Sequence, residues 1–109
     1  MDARIPLIAD QLLLIEGQLR QLGLWAAQAP SVEALASQQP FCVDTLAFEE
    51  WLQWIFLPRL KTLLEANAPL PTASGIAAMA EQVFSGRALE VKGLIAALEA
   101  FDRLIGAGA

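Results

Sequence analysis

Apolar residues recur at steps of three and four through four separate stretches of this chain, and nowhere do they alternate. The first is the cleanest: Ile5, Ile8, Leu12, Ile15, Leu19 and Leu22 fall on one face of a helix. The second gathers Phe48, Trp51, Leu52, Ile55, Phe56 and Leu63, the third Ile76, Met79, Ala80, Val83 and Phe84, and the fourth Val91, Leu94, Leu98, Phe101 and Ile105. A strand shows a period of two, so this pattern excludes a sheet and specifies helices that must bury one another's stripes. The spacing predicts helices over 3–22, 44–66, 73–84 and 88–105. They form an all-α, up-and-down four-helix bundle, one domain over 1–109, with a long loop between the first and second helices.

The breaks between these stretches have local causes. Pro6 is tolerable in a first turn, where its missing N–H has no intrahelical partner. Gly23 is a helix stop. In the loop, Ser31 caps a short turn through Val32, Leu35 and Ala36, and Gln39 before Pro40 stays extended. Trp25 and Phe41 anchor this loop to the core, and Cys42 reads as a small buried apolar residue. Asp44 is the expected N-cap of the second helix. Pro69-Leu70-Pro71 ends that helix, Thr72 or Ser74 caps the next, Ser85-Gly86 breaks it, and 106–109 fray. Leu7 and Leu14 form a lesser strip on the first helix, read as facing a second neighbour, with a homodimer surface as the sharper alternative.

Composition narrows the function. The chain is 56% hydrophobic and 17% charged, which excludes disorder. No run reaches the roughly 18 apolar residues of a membrane span, and the N-terminus lacks the pattern of a signal peptide, so a cytoplasmic protein is expected. The net charge is −5 and the seven basic residues are scattered, whereas direct nucleic-acid binding needs a clustered positive face. One cysteine excludes an internal disulfide. The absence of histidine removes the commonest general base and metal ligand together. No catalytic residue, metal site or cofactor is expected.

The stretch from Phe48 to Leu60 concentrates what is unusual. Trp51 and Trp54 lie three apart and point to neighbouring sides, one toward the core and the other a candidate interface anchor. Pro58 withholds one backbone donor and crowds the carbonyl of Trp54, which predicts a kink. On a straight helix Arg59 shares the arc of Phe48, Leu52 and Ile55. A guanidinium there must pair internally, with Glu81 or Asp44, swing out to water, or serve as a bidentate donor to a partner's carboxylate. Trp51, Trp54, Pro58 and Arg59 are therefore the candidate partner- or ligand-binding residues.

The run Pro40-Phe41, Asp44-Thr45-Leu46, Phe48, Glu50-Trp51-Leu52-Gln53-Trp54-Ile55, Leu57-Pro58-Arg59, Leu70-Pro71 and Ile76 through Met79-Ala80-Glu81 resembles the YqcC-like family of small bacterial proteins. The resemblance implies a small helical bundle with no established activity, often encoded beside a tRNA pseudouridine synthase. A non-catalytic protein-interaction or accessory module is the expected function. A bundle binding a small apolar anion of the acyl type is the alternative.

Overall fold

The computed structural model describes residues 3–70, 75–87 and 89–106. It is all-helical, with no strand among the described residues. The longer helices are α1 (Ile5–Gln21), α4 (Leu57–Glu65), α5 (Ile76–Val83) and α6 (Lys92–Gly106); α2 (Val32–Leu35) and α3 (Phe48–Trp51) are single turns. Ile8, Leu12, Ile15 and Leu19 of α1 pack against Leu94, Leu98, Phe101 and Ile105 of α6, with Leu52, Phe56, Leu57, Leu60, Ile76, Ala80 and Phe84 completing one core. Arg4 donates to the carbonyls of Leu104 and Ile105 at 2.9 and 3.0 Å, while Gln18 lies against Gly93, so α1 and α6 run antiparallel. That guanidinium also satisfies two end carbonyls that α6 leaves free.

The second predicted helix is more complicated than its sequence pattern. Residues 48–65 are helical throughout, but α3 and α4 are joined by a π-helical turn, Leu52–Phe56, closed by Leu57 N–H donating to the Leu52 carbonyl. Pro58 supplies the reason. With no N–H to give and a ring that crowds the preceding turn, it is accommodated by a widened turn ahead of it, and Pro58 then sits at the start of α4. Where a kink is expected, the run instead carries a π turn, an i→i+5 bond within a continuous helix. Asp44 is not the cap. Ala47 holds the N-cap position, and Glu50 reaches back to accept from Ala47 N–H at 2.9 Å. Asp44 instead accepts from the Ser37 hydroxyl.

Two helix ends are made by left-handed residues. At Gly23 (φ 74°) the chain makes a paired turn: Gly23 N–H reaches Arg20 O at 3.1 Å and Leu24 N–H reaches Leu19 O at 2.9 Å. Asn67 (φ 51°) repeats this after α4, its N–H bonding Leu64 O while Ala68 N–H bonds Leu63 O. Ser31 Oγ accepts from Ala34 N–H at 3.1 Å, as expected of a cap, and Cys42 is buried. α5 begins at Ile76 rather than 73, and its predicted caps Thr72 and Ser74 lie outside the described residues, as do Pro71 and 107–109. Its N-terminus is held from α6: Asp102 Oδ2 accepts from Ala77 N–H at 3.0 Å. Val83, expected inward, is exposed at the end of α5, and Leu7 and Leu14 of the lesser strip on α1 are exposed as well.

Candidate functional site

The four residues singled out by sequence do not converge. Trp51 is half-buried in an aromatic cluster, edge-on to Phe41 at 4.9 Å and stacked near Phe56 at 5.6 Å. Phe41 reaches this cluster from a left-handed backbone (φ 57°), an uncommon conformation for a bulky residue. Arg59 is exposed, and its guanidinium has no hydrogen bond or ion pair among the described residues. The π turn explains this. A widened turn holds about one residue more than an α turn, so every later position lags by about 100° on the helix. Leu60 takes the inward place that Arg59 has on a straight helix, and Arg59 rotates out.

Trp54 and Pro58 stay together, in different company. They line an open cleft of about 660 Å³ with Arg20, Trp25, Gln53, Leu57 and Lys61. Its walls are the end of α1, the chain just after it, and the π turn with the start of α4. The Gly23 turn brings Trp25 back beside the last turn of α1, where the Arg20 guanidinium lies over the indole at 4.4 Å. Gln53 ties the walls together. Its Oε1 accepts from Ala26 N–H and its Nε2 donates to Ala26 O, both at 2.8 Å. A buried amide (5% exposed) thereby matches both backbone groups of one loop residue and fixes the loop on the helix.

Electrostatics concentrate at one rim. Glu16 accepts from Arg20 Nε at 3.1 Å through one oxygen and from Lys61 Nζ at 3.4 Å through the other. Burial works to raise its carboxyl, but the hydrogen bond from Arg20 and the charge and hydrogen bond of Lys61 outweigh it and hold Glu16 below the usual carboxylate range. Two cations against one carboxylate leave the rim locally positive on a chain of net charge −5. The Nη donors of Arg20 make no bond among the described residues. Trp54 Nε1 is shut from solvent and has no acceptor among the described residues, an arrangement that costs about 1–3 kcal/mol for a buried donor.

Sequence reasoning missed Gln53, Arg20, Trp25 as a wall of the site, and Lys61. The one signal available was Gln53 itself, a lone amide between Leu52 and Trp54 in an otherwise apolar run. Arg20 and Lys61 are 41 positions apart, and only packing of α1 on α4 makes them neighbours. Among the described residues, no group of histidine, cysteine, aspartate or glutamate side chains converges to hold a metal ion, and no helix is long and apolar enough to cross a membrane.

Comparison with known proteins supplies a family. An uncharacterized protein of Haemophilus influenzae is 38% identical over 86 residues, 79% of this chain and 80% of that protein. Uncharacterized protein YqcC of Escherichia coli K12 is 35% identical over 94 residues, 86% of each chain. A Pectobacterium carotovorum protein named tRNA pseudouridine synthase C is 44% identical over 64 residues, but these cover 59% of this chain and 17% of that protein. The solution NMR structure of E. coli YqcC matches the fold with a TM-score of 0.87 at 31% identity, over 99% of this chain and 92% of that one. The family described as DUF446, tRNA pseudouridine synthase C, matches residues 7–104. The shared fold and a match across nearly the whole length agree, and the chain belongs to this DUF446 family of YqcC-like proteins.

Proposed function

We propose that this chain is a non-catalytic, cytoplasmic interaction module. Its longer helices act as an up-and-down bundle that presents the cleft between α1 and the π turn to a protein partner. The observation that carries the reading is the cleft's composition: two indoles, a fixed loop and two cations around an open concavity. Tryptophan and arginine are the residues most often found to dominate interface energetics. Trp54 and Pro58 belong to this surface, while Trp51 supports it from the aromatic cluster. Arg59 lies outside the cleft and contributes at most a peripheral contact.

The partner we favour is a tRNA pseudouridine synthase. The Pectobacterium protein of that name carries the matching 64 residues as 17% of its own length, which supports a role for this kind of segment beside such an enzyme. Size-exclusion light scattering of the purified chain mixed with the synthase of the same organism tests it. A complex that forms with the wild type and is lost with folded Trp54→Ala and Gln53→Leu variants is the expected outcome. No complex removes the synthase as partner, and a complex that both variants retain removes the cleft. The alternative, a small apolar anion, draws on the same apolar walls and positive rim, but the open shape of the cleft suits a protruding segment better than an enclosed chain.

A further inference from the structure

The cleft's unused bonding capacity states what an occupant must bring. Arg20 engages Glu16 through Nε alone, and its two Nη groups are unbonded among the described residues. Lys61 makes one long polar contact among the described residues, 3.4 Å to the same carboxylate. Both of these groups are donors, and both are cations. Around them the walls are apolar: Leu57, Pro58, Ala27 and the faces of the indoles. A neutral apolar segment fills the walls and leaves the donors unmatched. A basic segment meets two like charges.

Resting on the reading of this cleft as a docking site, we infer that it takes an acidic peptide segment of the partner, with an aspartate or glutamate next to a large apolar side chain. The carboxylate accepts from Arg20 Nη and Lys61, sharing with Glu16 the two cations that Glu16 now holds alone. The apolar side chain lies between Trp25 and Trp54 against Pro58. Charge complementarity sets this choice: the rim carries two positive groups to one negative, in a protein whose overall net charge of −5 otherwise repels acidic chains. The same net charge, with a single cation pair at the site, argues against a nucleic acid, whose binding needs a row of phosphate contacts.

The test uses the whole chain and a displayed library of random short peptides, followed by anisotropy titrations with labelled winners. Enriched peptides are expected to pair Asp or Glu with Phe, Trp, Leu or Met. Changing the acid to its amide weakens binding about threefold to fivefold, the upper range for an ion pair at a partly exposed rim. Arg20→Gln with Lys61→Gln does the same and abolishes the preference for acid over amide. Glu16→Gln, which removes the internal competitor, tightens binding about twofold to threefold. Peptides enriched without an acid, or an acid-to-amide change of less than twofold while Trp54→Ala still abolishes binding, overturn the carboxylate inference and leave the docking cleft standing. Binding that Trp54→Ala leaves unchanged removes the cleft itself. Displacement of the peptide by polyuridylate RNA at low concentration overturns the assignment to a peptide.

Discussion

The α1–α6 half of the molecule and the half built on residues 24–65 are held together differently. Between α1 and α6 the contact is aliphatic and aromatic side chains at regular spacing, and helix ends are tied across the pair by Arg4. In the other half, a single amide, Gln53, fixes the loop; an aromatic cluster fills the gap, and a π turn interrupts the helix. The first arrangement is redundant, since many small contacts share the energy. The second depends on a few directional bonds, and it carries the orphan donor and the open cleft. Energy given up locally in this way is commoner at binding surfaces than in framework.

Removing Phe101, which is 1% exposed and edge-on to Phe56 at 5.0 Å, is the strongest challenge to the framework half. Phe101→Ala is expected to lower stability by about 3–5 kcal/mol, read from urea unfolding. A loss below about 1 kcal/mol would mean that the α1–α6 contact does not carry the fold.

Gln53→Leu tests the other half. It strips Ala26 of both partners at a part-buried position and should cost about 1–3 kcal/mol. The more telling readout is hydrogen exchange: the Ala26 amide should lose protection while amides in α6 keep theirs. Uniform loss of protection in both halves would erase the distinction drawn between them.

Glu16→Gln has a smaller effect with a defined pH dependence. The folded carboxyl lies below its ordinary range, so Glu16 contributes stability above the unfolded value, and this is lost as pH falls through the folded one. Glu16→Gln should therefore be less stable by about 0.5 kcal/mol near neutrality, a figure set by half-exposed partners and solvent screening. The gap to wild type closes below the usual glutamate range. A gap that is constant with pH means the two cations do not hold this carboxylate.

Arg59→Ala should be nearly silent, within about 0.5 kcal/mol in stability, and it should leave peptide capture by the cleft unchanged. A large loss of capture would move the working surface from the α1 side of the central helix to its outer face.

Much of the framework was legible before any coordinates. The stripes of α1 and α6 appear as read, because an amphipathic helix repeats its burial pattern every few residues and needs no distant information. Gly23 and Ser31 act at the positions their chemistry favours. The caps of the second and third helices were less legible. Asp44 was a plausible oxygen in the wrong register, and Ala77 is served by Asp102, 25 positions away.

The candidate site lay mostly beyond the sequence. Residue order alone established that the chain is helical, that it has one aromatic-rich run, and that a proline must disturb that run. It left open how the disturbance is resolved. A straight helix points Arg59 at the core; a π turn rotates it away and leaves Gln53, Trp54, Pro58 and Lys61 on the side that faces Arg20 and Trp25. Periodicity is a local property, written into neighbouring residues. The phase slip across Leu52–Phe56, and the meeting of cations 41 positions apart at Glu16, are set by which neighbours the helix packs against, and that is a property of the folded whole.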